Sequence, residues 1–185
     1  MAYKLGSLRG DEWIEHIYGN LIRYERHPEW SRVTIAPDGK QIPLMLEIAK
    51  SWTGPYGILY VLKLPRLGHN AARYQAPQPC TLADLELFAY TFQEYFEGDG
   101  RHHVWFADVP SGCQLVYDNH NLIYSYGRDD EVISLLKSKG FAEGDPQIPC
   151  PHAHAYNPEF DAQEDEIMEY FEWIEFPLQE EHDDP

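Results

Sequence analysis

The chain has 185 residues, 43% of them apolar and 24% charged, which excludes an intrinsically disordered protein and leaves little room for two ordinary domains. Its formal net charge is −17, and residues 140–185 hold fourteen acids without one Lys or Arg. Nucleic acid and anionic membranes are therefore repelled and basic partners attracted.

Cys80, Cys113 and Cys150 are too few and too widely spaced for a disulfide framework or a zinc ribbon. The stretch MAYKLGSLRGDEW lacks an apolar signal core and a small-residue cleavage site, and no window approaches the length of a membrane span. A cytoplasmic protein is expected.

In chain order, DEWIEHIYGNLIRY (11–24) sets Ile14, Ile17, Leu21 and Tyr24 at helical spacing with acids in the first turn, which predicts an amphipathic helix interrupted at Gly19. Residues 32–48 place an Asp-Gly turn signal between two β-rich runs. They predict a hairpin, at a sheet edge because Pro43 lies in its second strand. GILYVLKL (57–64) is apolar on both parities apart from Lys63, as expected of a central strand covered on both faces. A long Pro- and Gly-rich loop, 65–80, follows it.

Thr81 and Asp84 approximate a capping box ahead of an apolar stripe at Leu85, Phe88, Phe92 and Tyr95 that Gly98 closes, and so predict a helix. HHVWFADV and CQLVYD flank a PSG turn, and NLIYSYG follows a DNHN turn, which together give a run of strands. RDDEVISLLKSKG carries acids at its start, lysines near its end and Gly140 after it, all helix signals. With a last strand through Cys150–Tyr156, residues 57–156 match the β-α-β-β-α-β ferredoxin-like plan of an α+β fold. The N-terminal helix and hairpin would extend it within one domain spanning 1–178.

DAQEDEIMEYFEWIEF (161–176) predicts an acidic amphipathic helix with Ile167, Phe171 and Ile174 on one face. Its acids Asp165, Glu166, Glu169 and Glu172, with Tyr170 and Trp173, are candidates for contacting a basic protein partner. A solvated face is the plainer alternative. The residues from Gln179 to Pro185 are expected to be a disordered acidic tail.

In CPHAHAYNPEF, strand parity puts Cys150, His152 and His154 on one face, an arrangement able to start a zinc or other transition-metal site. His69, His102, His103, His120, Glu159 and Asp161 are available to complete it, and no spacing selects among them. Pro149 and Pro151 explain the same stretch as a protected edge strand. Asp118 is placed to orient His120 for acid–base work, although Asp118–Asn121 also has the composition of a tight turn.

No GxSxG elbow or phosphate-binding Gly loop occurs, and a Cys113 pair with His103 or His120 has no pattern behind it. The RNA-recognition signature is missing as well, so nucleic acid is set aside. Two functions remain. The first is a non-catalytic, acidic protein-binding module without a cofactor, of the inhibitor or immunity kind; the second is a metal-binding protein or metal-dependent enzyme centred on His152 and His154.

Overall fold

Strands dominate because β-branched and aromatic residues alternate between two faces along much of the chain. A computed structural model describes residues 3–179. The first four strands are β1 (Leu5–Arg9), β2 (Glu12–Glu15), β3 (Leu21–Arg26) and β4 (Ser31–Ala36), followed by helix α1 (Gln41–Ala49). Then come β5 (Tyr56–Leu62), β6 (Ala72–Gln75), α2 (Leu82–Thr91) and α3 (Gln93–Gly98). Strands β7 (His102–Asp108), β8 (Gln114–Tyr117) and β9 (Ile123–Tyr126) lead to α4 (Asp129–Ser138) and the short β10 (Ala142–Glu143). The chain continues through β11 (His152–His154), α5 (Asp161–Tyr170) and β12 (Ile174–Pro177).

The architecture is α+β. Nine strands form one sheet in the order β10-β3-β4-β9-β8-β7-β5-β6-β12, and β11-β1-β2 form a second. Side chains on one face of the large sheet, among them Ile35, Tyr60, Phe106 and Ile123, share a core with residues from all five helices. The opposite face carries a smaller cluster of Ala36, Val116, Leu122 and Tyr124.

The ferredoxin-like plan does not describe this sheet. Two strands joined through a β-α-β crossover run parallel, whereas β5 and β7, on either side of α2 and α3, are adjacent and antiparallel, with Tyr60 opposite Val104. The helices simply lengthen the connection between two antiparallel neighbours.

Two N-terminal expectations are also corrected. Residues 11–24 form β2 and part of β3 instead of a helix: Gly19 and Asn20 both take left-handed backbone (φ 82° and 59°) and break the run. Ile17 is exposed, so the spacing that imitated a helical stripe does not face the core. The expected hairpin is β4 followed by a turn at Asp38–Gly39 and then α1. Pro43 sits in the first helical turn, where its missing N–H has no intrahelical acceptor to lose. Strand β4 is interior, paired to β3 and β9.

The middle of the chain follows its sequence closely, except that the one helix expected from Thr81 to Gly98 breaks at Phe92 into α2 and α3. Thr81 and Asp84 form the reciprocal capping box, worth about 1 kcal/mol. Helix α4 carries Asp129, Asp130 and Glu131 in its first turn and Lys137 in its last. Strand β5 lies between β7 and β6, as a central strand should, while part of the supposed loop 65–80 is itself a strand, β6.

The C-terminal segment departs from expectation twice. Helix α5 stops at Tyr170, and Ile174–Pro177 becomes β12, antiparallel to β6. Strand β11 is an edge strand, but of the small sheet, pairing Leu5 with His154 and Ser7 with His152. The acidic tail expected from Gln179 onward lies outside the described residues, save Gln179 itself. Among the described residues, no helix is long and apolar enough to cross a membrane.

Buried polar contacts dock both C-terminal pieces. The guanidinium of Arg101 is wholly buried and gives five hydrogen bonds: two to Asp99 (2.8 and 3.0 Å), one each to Glu164 (2.6 Å) and Asp161 (3.0 Å), and one to the Asn157 carbonyl (3.0 Å). Those are all the donors a guanidinium has. The small sheet is held by buried Lys4, whose Nζ donates to the Phe96 carbonyl at 3.0 Å and lies 3.8 Å from the Tyr117 ring centre. Burial pushes the Lys4 amine down to about 7, against the attraction of Asp118 and Asp99.

Candidate metal centre

The turn between β8 and β9 is built by its own side chains. Asp118 is buried, and its Oδ1 accepts from the backbone amides of His120 and Leu122, each at 2.9 Å. Asn121 takes left-handed backbone (φ 62°) and accepts from the Tyr117 hydroxyl at 2.7 Å. This is ordinary turn chemistry for Asp and Asn. The same Asp118 has a second oxygen, Oδ2, 2.9 Å from His120 Nδ1, so the group that closes the turn also fixes the imidazole.

Strand β11 arrives at this turn through its pairing with β1. Alternation sends His152 and His154 to the same side, as expected, and there they meet His120. Ring centroids are 4.8 Å apart for His120 and His154, 5.2 Å for His152 and His154, and 5.4 Å for His120 and His152. One ring nitrogen from each lies within 4.8 Å of the other two. The rings stand at 68–76° to one another, more like blades of a propeller than a stack.

Each imidazole is pinned through Nδ1 to an oxygen: His120 to the Asp118 carboxylate, His154 to the Asn119 carbonyl at 3.0 Å, and His152 to the Pro149 carbonyl at 2.9 Å. A carbonyl or carboxylate only accepts, so Nδ1 carries the proton in all three, and in the neutral ring this leaves the lone pair on Nε2. This outer bond is the one that orients metal-ligating histidines and raises their basicity.

Burial, then the neighbouring His120, push His154 down to about 4, so it is neutral and able to ligate at pH 7. Burial alone would raise the Asp118 carboxyl. The hydrogen bonds that it accepts from His120 and from the Leu122 amide work against this, and the group is held below its ordinary value. His152 is exposed while His120 and His154 are half-buried, so the cluster opens to solvent on one side.

Three imidazole ligands suit zinc, copper, iron or nickel, and zinc with three protein ligands keeps a fourth position for water or substrate. Four-coordinate zinc at about 2.0–2.1 Å from each nitrogen needs them roughly 3.3 Å apart. The cluster would contract by about 1.5 Å on binding, within reach of ring rotations at the open side.

The other residues singled out in the sequence lie elsewhere. Cys150 is exposed and outside the histidine group. His102 faces the helices among Tyr60, Tyr95 and Phe96, and Cys113 packs in the main core. His69 bonds Asp165 at 2.8 Å, and Asp161 pairs with Arg66 and Arg101. Glu159 lines a separate acidic cleft of about 670 Å³ with Glu15, Asp38, Glu94 and Glu97.

The expected partner face is partly consumed by packing. Tyr170 packs edge-on against Phe88 and Phe92, and Trp173 lies against Phe88 and Tyr60 with its indole N–H donated to the Ile167 carbonyl. Glu166, Glu169 and Glu172 stay exposed, and none of them belongs to an ion pair among the described residues.

The part missed at the sequence level is the selection of His120 as the imidazole that joins His152 and His154. Asp118 two residues before it is a signal for a fixed imidazole, but nothing local says that β11 lies opposite. No protein-family model matches the chain, and no curated protein or solved structure is significantly similar to it, so geometry carries the functional reading.

Proposed function

We propose that this protein binds one divalent transition-metal ion of the zinc class through His120, His152 and His154, with a fourth position open to solvent. The observation that carries the reading is the shared outer bond: all three rings, one from the β8–β9 turn and two from β11, give Nδ1–H to an oxygen and turn Nε2 away from it, that of His154 meeting only a long 3.5 Å contact with the Asn119 amide. Three imidazoles gathered by chance on a surface have no reason to be oriented alike. The open fourth position is the arrangement of metal sites that do chemistry, as opposed to closed structural ones.

The test is metal analysis of protein purified without chelators, followed by zinc titration of the stripped protein. One equivalent per chain is expected, and none in a His152→Ala, His154→Ala double variant that remains folded. A wild-type chain that takes up no zinc, copper, nickel or cobalt would overturn the proposal.

A second reading keeps the acidic surface. Glu166, Glu169 and Glu172, exposed and in no ion pair among the described residues, support contact with a basic protein. Such a complex weakens steeply with added salt and with replacement of these three residues by Gln. A salt-insensitive complex excludes this surface as the contact.

A further inference from the structure

Beside the three histidines, the Asn119 side chain bridges two imidazoles that differ in burial. Its Oδ1 is 3.2 Å from Nε2 of His103, which is fully buried, and its Nδ2 is 3.5 Å from Nε2 of His154. Only this orientation of the amide is consistent with its neighbours. His154 gives its proton to the Asn119 carbonyl through Nδ1, so its Nε2 presents a lone pair and the amide must turn a donor toward it. On the other side, a neutral His103 donates from Nε2 to Oδ1, because the alternative sets two lone pairs against each other. Among the described residues His103 Nδ1 has no hydrogen-bond partner, and its ring is held through the bond to Asn119.

The Asn119 amide is therefore turned toward the lone pair a metal would take. Its 3.5 Å contact with His154 is long and easily given up. Once Nε2 is on a metal, the amide N–H must find another acceptor, and the nearest is whatever oxygen or nitrogen anion fills the metal's open position. With three neutral ligands, a divalent ion keeps its full charge, offset by Asp118 behind His120. The site thus attracts small anions within a protein whose net charge of −17 disfavours larger ones.

Resting on the metal reading above, we propose that the open position takes a small monodentate anion, such as hydroxide or a carboxylate or carbonate oxygen, and that Asn119, oriented by His103, donates a hydrogen bond to it. Asn119 then acts as an anion-positioning residue next to the metal, in the manner of a preorganised oxyanion donor.

The experiment uses the full chain loaded with Co²⁺ and titrated with azide, followed by the visible absorption of the cobalt. Asn119→Ala removes the donor, and Asn119→Asp keeps the shape while replacing the donor by an acceptor. The bond to His154 Nδ1 comes from the Asn119 backbone, so both variants retain that outer contact. The expected result is unchanged Co²⁺ stoichiometry with azide affinity lowered roughly ten- to hundredfold in both variants, the loss expected for one hydrogen bond to a charged group.

Azide affinity that is the same in wild type and variants, or absent in wild type, overturns the anion role and leaves the metal site standing. Loss of Co²⁺ uptake in the variants overturns it too, by making Asn119 part of the metal cage. Failure of the wild type to take up Co²⁺ overturns both readings.

Discussion

Around Arg101 every donor has an acceptor within 3.0 Å and the guanidinium is sealed from water; around His120 three imidazoles, each pinned through Nδ1, bring ring nitrogens within 4.8 Å of one another. Both clusters hold C-terminal segments, α5 and β11, to the core. The first has exhausted its bonding capacity, so it can do nothing but hold. The second keeps lone pairs in reserve on an open side, and unused, oriented capacity of that kind is what separates a ligand site from a structural contact.

Breaking the Arg101 cluster should have the largest effect. Arg101→Met leaves Asp99 and Glu164 buried without their cation, and loss of about 3–5 kcal/mol is expected in urea unfolding. A loss under about 1 kcal/mol would show that water reaches these carboxylates.

Acid should separate the two clusters. Burial, before any neighbour, pushes His103 from an ordinary 6.5 down to about 4. Its folded form resists protonation, so the unfolded chain binds the proton first as pH falls. The stability it contributes is complete above pH 6.5, declines between 6.5 and 4 and is gone below that, a change of about 3 kcal/mol. His154 acts in the same direction, reduced by its partial exposure.

Arg101 stays charged throughout that range, and Asp161, held below its ordinary value by Arg66 and then by Arg101, keeps its pairs. Denaturation midpoints measured from pH 7 to 4.5 should fall, with His103→Gln flattening the profile. A flat wild-type profile contradicts the buried neutral imidazole.

A smaller effect is expected from Asp118→Asn, which retains an oxygen for the turn but removes the carboxylate behind His120. Metal affinity measured by chelator competition should drop about 10–100-fold. An unchanged affinity would reduce Asp118 to a turn residue. Least of all, replacing Glu166, Glu169 and Glu172 together by Gln should change unfolding stability by no more than about 0.5 kcal/mol per site, because these acids face water on the outside of the Arg101 cluster. A larger change would mean that they contribute to holding α5.

Much of the fold was legible between Thr81 and Ser138, where capping, charge placement and apolar period agree with one another. The N-terminal forty residues misled for a physical reason. Ile14, Ile17 and Leu21 fit a helical period, but the left-handed Gly19–Asn20 step and the ladder to β4 override a propensity that is weak by comparison. The C-terminal helix was overextended because Phe171 and Ile174 continue the helical period, while the free edge of β6 offers Ile174–Pro177 a ladder that the sequence does not advertise.

What the sequence determined by itself is local or additive: the segregation of acid into the last quarter, the helix ends, and the parity that puts His152 and His154 on one face. Tertiary structure alone decided that β11 leaves the large sheet to pair with β1, that its histidines therefore meet His120 across more than thirty residues of chain, and that Cys150 is left out. Side-chain alternation follows from backbone geometry within a strand, whereas the partner of an edge strand depends on which distant surface remains uncovered once the core has packed.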